Sequence, residues 1–290
     1  MPAQRALLPD GRWHFQHGPI DIVIGAAGER AAVDAAHAAA WRRFETVLDE
    51  LVAELAQLRQ PVGDVCPLRG RIARRMWSAC EPYRAGFITP MAAVAGSVAQ
   101  ELIEAYQRPG VARAWVNDGG DIALHLAPGR RVTVGLFADL ANLDASMLRG
   151  GLALDGRFDV EHAMPVRGVA TSGWRGRSFS LGIADSVTVL ARTAAEADAA
   201  ATVIANAVTV DDARIVRRPA CELKDDTDLG ANPVTVDVPP LGAATVRRAL
   251  AAGLARAREL RDAGLIEACA LVCQRMAAAT TAGADAMIAA

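Results

Sequence analysis

Asn117-Asp118-Gly119-Gly120-Asp121 sets three polar side chains around two glycines, between two apolar runs. Consecutive glycines offer bare backbone N–H groups to a phosphate, a ribose or a ring edge. The neighbouring carboxylates would accept from ligand hydroxyl or N–H groups, or hold a cation. The same residues suit a plain hairpin turn, because Asn, Asp and Gly tolerate positive φ. On turn statistics alone the plain turn is preferred. Thr171-Ser172-Gly173 places hydroxyls before a glycine. That pattern lines phosphate- or carbonyl-binding loops, and it also ends ordinary strands. No G-x-S-x-G elbow surrounds Ser172, which speaks against a serine hydrolase.

Asp198, Thr202 and Asn206 recur at i, i+4 and i+8, on one face of a helix. Hard oxygen ligands so spaced suit Mg²⁺, which takes few protein ligands and completes its shell with water and phosphate. The spacing alone fits a solvent-facing polar stripe better. Asp185 stands at the mouth of an apolar β run, as either a strand-end cap or a site residue. Arg69, Arg71, Arg74 and Arg75 read as a solvated face in preference to a phosphate site. Gly25-Ala-Ala-Gly28 is a faint echo of a nucleotide loop. A P-loop, H-E-x-x-H and a G-x-G-x-x-G after a strand are all absent, and the five His form no ligand pair at helical spacing.

The elements that must position these residues follow from periodicity. Residues 7–24 read as strands with a hairpin at Asp10-Gly11. Gly25 to Gly28 should turn into a long helix over 29–59, where Phe44, Val47, Leu48, Leu51, Leu55 and Leu58 recur at helical spacing. Thr89-Pro90 opens the next helix, whose Ala and Gly lining permits close approach, to a helix or sheet in preference to a ligand. Strands are expected at 112–117, 121–127 and 131–137, then a loop-rich 138–165 and two β runs within 166–191. Thr193 and Glu196 have capping-box spacing, predicting a helix over 194–208. Short β segments in 209–240 and one or two helices over 243–277 complete the chain. Hairpins outnumber β-α-β crossovers, so the fold class is α+β with a largely antiparallel sheet. With no repeat and no clear linker, residues 1–275 form a single domain and 276–290 a loose C-terminal tail.

Composition sets bounds. The 290 residues carry a net charge of −2 and are 52% hydrophobic, which supports a substantial core and gives no basic field for nucleic acid or a membrane surface. Cys66, Cys80, Cys221, Cys269 and Cys273 read as reduced, mostly buried thiols of a cytoplasmic protein. Cys269 and Cys273 share a face on the expected last helix. No secretory signal and no bilayer-length apolar run are visible.

Taken in order, "VNDGGDIAL", "VATSG", "SVTVLA" and "EADAAATVIANAV" resemble the ApbE-type flavin transferases (FAD:protein FMN transferases) over residues 90–210. "PMAAVAG", "NDGGDI", "TSG", "SFSLGIADSVTVLA" and "ADAAAT" resemble more closely the shorter UPF0280, or ApbE-like, branch, over most of the chain. The resemblance implies a T-fold-type arrangement of mostly antiparallel sheets packed with long helices. It implies a small-molecule ligand, FAD or FMN, with Mg²⁺, and leaves a homo-oligomer open. It assigns Asp198 and Thr202 to the metal. It assigns Met91, Asn117, Asp118, Gly119, Gly120, Asp121, Thr171, Ser172 and Gly173 to the cofactor, and leaves Asp185 as the catalytic candidate. The transferases carry H-x-x-D-P-x-x-G after TSG, whereas this chain reads "WRGRSFSLGIAD". The altered rim opens one alternative, a non-catalytic binding or assembly protein that keeps the fold, and the resemblance to the UPF0280 branch implies another, a role in pterin coenzyme metabolism.

Overall fold

The computed structural model describes residues 2–136 and 156–280. Most of the loop-rich stretch expected at 138–165, and residues 281–290 of the expected tail, lie outside them. The described residues are α+β with largely antiparallel pairing. The chain forms two compact units that interleave along the sequence.

The first unit comprises residues 1–132, 160–170 and 190–199. Strands β1 (Gln4–Leu7), β2 (Trp13–His17), β3 (Ile20–Gly28), β4 (Val111–Asp118) and β5 (Asp121–Leu126) follow one another as antiparallel neighbours. The start of β8 (Gly168–Ser172) adds to β5 through Ile122 and Val169. Alternation drives β3: Ile20, Ile22 and Ile24 are buried, while the residues between are half-buried. Against this face pack α1 (Arg30–Ala53), the single turn α2 (Leu55–Leu58), α3 (Arg71–Cys80) and α4 (Val94–Ile103). Phe44, Val47 and Leu51 of α1 fall on one stripe and meet Phe15, Leu102 and Tyr106 in the core.

The expectation that Gly25–Gly28 leaves the strand is corrected. β3 runs on through Gly28, with Gly25 opposite Trp115 in the register. A Cβ on Gly25 would lie 2.6 Å from the Trp115 indole, so glycine here makes room for an aromatic side chain and not for a phosphate. Of the arginine cluster, Arg69, Arg71 and Arg74 are exposed, as expected of a solvated face, and Arg75 is half-buried. Arg71 and Arg75 ion-pair with Glu101 and Glu104, and Arg43 joins at Glu101. Glu101 is only 4% exposed. Burial pushes its carboxyl up, but hydrogen bonds from Arg43 and Arg75 outweigh that and hold it below the usual carboxylate range.

The second unit comprises residues 133–159, 171–189 and 200–290. It contains most of β6 (Arg131–Leu136), β7 (Gly156–Glu161) and β9 (Ser186–Ala191). Helix α5 (Ala194–Ala207) begins in the first unit and ends in the second. β10 (Val216–Pro219) pairs with β11 (Pro233–Asp237), and α6 (Ala243–Asp262) precedes a hairpin of β12 (Ala268–Cys273) and β13 (Met276–Ala279). The expected helix over 243–277 therefore stops at 262. Gly264, at φ +72, donates to the Arg261 carbonyl, and Leu265 donates to that of Leu260. That is a Schellman stop, which closes the last carbonyls and turns the chain away. Cys269 and Cys273 share a strand face instead of a helix face, and β13 occupies the start of the expected tail. Gln274 and Arg275 make the hairpin turn with positive φ.

Candidate functional site

The hairpin β4–β5 turns at Gly119 (φ +65) and Gly120 (φ +114), as a two-residue primed turn requires. Asn117 Oδ1 accepts from the Gly120 N–H at 2.8 Å, so this side chain is committed to the turn. Asp118 and Asp121 face each other across it, Asp118 buried and Asp121 half-buried.

The capping box at the start of α5 forms as expected on one side: Thr193 Oγ1 accepts from the Glu196 N–H at 3.2 Å. One turn on, Asp198 Oδ2 accepts from the Gly96 N–H of α4 at 2.9 Å, and the Ala95 N–H also faces it. This approach depends on glycine. A Cβ on Gly96 would sit 2.2 Å from the Ala194 carbonyl oxygen. The small-residue lining of α4 thus serves contact with another helix.

Asp198 keeps part of its surface open. Its carboxyl is held well above the usual range, first by desolvation and then by the Asp121 and Asp118 charges, against the pull of the Gly96 and Ala95 N–H groups. Asp118, Asp121 and Asp198 therefore share one electrostatic neighbourhood inside the first unit. Among the described residues, no three His, Cys, Asp or Glu side chains converge as a ready metal cage. The backbone donors Gly96 and Ala95 were missed as site residues in the sequence. Their only signal was a glycine inside the "PMAAVAG" helix. Met91, in the 3₁₀ turn Pro90–Ala93, is partly buried against the core.

In the second unit, Thr171 and Thr188 hydroxyls meet at 2.9 Å. Asp185 accepts from the Gln274 N–H at 2.5 Å and from Trp174 Nε1 at 3.4 Å, fastening the turn of the β12–β13 hairpin. Gly173 lies against the Asp185 backbone, where a Cβ would be 2.3 Å from its carbonyl oxygen. Asn206 departs from the expected polar stripe, since its Oδ1 accepts from the Leu181 N–H and Ser180 Oγ at 2.9 and 3.2 Å. Thr202 is half-buried on the same helix, and Ser172 ends β8. The cysteines are free thiols, and burial beside Asp185 pushes Cys273 up to about 12.

An α+β chain with an NDGGD hairpin and a half-buried aspartate on a capped helix defines the class. A family model described as "AbpE bacteria" matches residues 5–286. A UPF0280 protein of Methanopyrus kandleri is 36% identical over 208 residues, covering 71% of this chain and 78% of that one. One from Methanosarcina acetivorans is 31% identical over 211 residues, covering 72% and 77%. Against a UPF0280 protein of Methanospirillum hungatei, the chain spans only about half of the relative's length (50%), at 38% identity over 137 residues and 46% of this chain. The chain belongs to the ApbE-like family, on its UPF0280 branch. Among solved structures, the apo flavinyl transferase ApbE of Pseudomonas stutzeri is similar at 12% identity and a TM-score of 0.48, over 99% of this chain and 97% of that one. No helix of the described residues is long and apolar enough to cross a membrane.

Proposed function

We propose that this chain binds FAD or FMN through its phosphate end, with Mg²⁺ as the companion ion. The observation that carries the reading is the Asp198 neighbourhood. Two further carboxylates raise the cost of a negative charge there, and a divalent cation is the counter-charge that lowers it. Mg²⁺ suits a site with few protein ligands, because it keeps water and takes phosphate oxygens. Asp198 is the first ligand, with Asp121 nearest in charge. Thr202 follows by its i, i+4 spacing on α5. Met91, the 117–121 turn and Thr171-Ser172-Gly173 are assigned to the flavin by their motifs. When bound, the ion would polarise a phosphate linkage as a Lewis acid.

A titration of the whole protein with FAD and FMN, with and without Mg²⁺, tests this by flavin fluorescence. The expected result is binding that tightens with Mg²⁺. Asp198→Asn should weaken the Mg²⁺-dependent part by roughly tenfold or more. No flavin binding under either condition overturns the reading.

A second reading, ligand binding without group transfer, is favoured by Asp185. Its carboxylate is occupied by Gln274 and Trp174, and the H-x-x-D-P-x-x-G segment is missing. Flavin binding with no FMN transfer to a threonine-bearing protein acceptor would support it.

A further inference from the structure

The other end of β4 carries a different kind of surface. A groove of about 530 Å³ is lined by Ala27, Gly28, Ala112, Arg113, Gly129, Arg130 and Arg131. All seven belong to the first unit. Three of them are arginines and none is an acid. Among the described residues, Arg113, Arg130 and Arg131 have no carboxylate partner, and the Arg113 guanidinium reaches only the Arg131 carbonyl oxygen, at 3.5 Å. This contrasts with Arg43, Arg71 and Arg75, each of which faces glutamates.

The backbone shapes the groove. The β3–β4 register shifts at Ala27/Gly28, leaving Ala112 as the extra residue of a bulge. Bulges bend a strand and re-aim its side chains, and they concentrate next to binding sites. Ala112 still accepts from the Ala127 N–H, and Arg130 is fixed at both ends of its peptide unit, donating to Ala127 and accepting from His162. Small residues, Ala27, Gly28, Ala112 and Gly129, leave the floor low, so the walls are guanidinium. Three like charges around one hollow repel each other until an anion joins them. The planar Arg fork matches phosphate oxygens two at a time. The volume is that of a small-molecule pocket.

We propose that this groove is a binding site for a small anion bearing phosphate groups. It is separate from the Asp198 neighbourhood: Asp118 lies five residues further along β4 than Arg113, roughly 16 Å of strand. It also needs no metal.

The test is calorimetric titration of the whole protein with inorganic pyrophosphate in EDTA, with citrate as the carboxylate counterpart. The expected result is saturable pyrophosphate binding, tighter than that of citrate. Arg113→Gln and Arg131→Gln should each weaken it by roughly tenfold, while Asp198→Asn and the exposed Arg74→Gln leave it unchanged. These arginines are exposed, and an unchanged melting temperature will show that the variants fold. No saturable binding, equal binding by the Arg→Gln variants, or tighter binding of citrate overturns the proposal. Because EDTA removes Mg²⁺ and Asp198→Asn is a control, failure here is distinguishable from failure of the flavin reading.

Discussion

Asp198 is where a single side chain has the most to report. Its carboxyl is raised by desolvation and by Asp121 and Asp118, so folding favours its protonated form. The sign follows: its contribution is favourable below the ordinary carboxylate value, about 4, and is lost as pH rises through the folded value. Thermal melts of the metal-free protein from pH 4 upward should show this loss, and Asp198→Asn should flatten it. Added Mg²⁺ should restore wild-type stability at neutral pH and leave the Asn variant unmoved. Glu101 has the opposite sign. Its carboxyl is held low by Arg43 and Arg75, so its contribution is present above the ordinary value and disappears as pH falls through the lowered one. Glu101→Gln removes the buried carboxylate from a network in which Arg43 keeps Glu50 and Arg71 and Arg75 keep Glu104, and should cost about 1–3 kcal/mol in denaturant melts near neutral pH. Of these two acids, only Asp198 was legible in the sequence, through its helical motif. Glu101 was not, because its partners Arg43 and Arg71 lie 58 and 30 residues away.

At the scale of elements, local chemistry spoke clearly where it was self-contained. Asp10-Gly11 and Gly119-Gly120 made turns, and Thr193 with Glu196 opened α5 at the expected residue. The sequence misled where tertiary contact decided. "GAAG" stayed in β3 because Trp115 packs over Gly25. The last helix was read too long because "ACALVC" and "MAAA" are helix-tolerant letters, whereas the stop lay in Gly264 and its two closing hydrogen bonds. The contact between α4 and α5 makes a sharper demand. Gly96→Ala would drive a methyl into the Ala194 carbonyl and should destabilise the protein by about 1–3 kcal/mol. It should also loosen the Gly96–Asp198 hydrogen bond. A denaturant melt reads the first effect, and a change in Mg²⁺ affinity reads the second.

For the whole molecule, the interleaving of the two units along the chain matters most. Residues 1–132 hold β1 to β5 and α1 to α4, yet they lack 160–170 and 190–199. A fragment ending at 132 would leave β5 without Val169 and α4 without the turn that bears Asp198. Circular dichroism melts of that fragment should show no cooperative transition, while the full chain shows one. Fold class was legible because hairpin signals outnumber crossovers. The partition into units was not, because the chain changes unit inside β6, β7, β8, β9 and α5, with no linker to mark the passage.

The start of α5 is gripped by two glycines. Gly96 meets the Ala194 carbonyl, and Gly168 meets that of Thr193, where an added Cβ would lie 2.1 Å away. Both grips are made by the lack of a methyl group, so neither leaves a trace in a catalogue of side-chain contacts. In a saturation library these two positions, 72 residues apart, would reject nearly every replacement. The side chains that look like the site would tolerate more. For this chain, the pattern of mutational intolerance would map the scaffold of the pocket before it mapped the ligand.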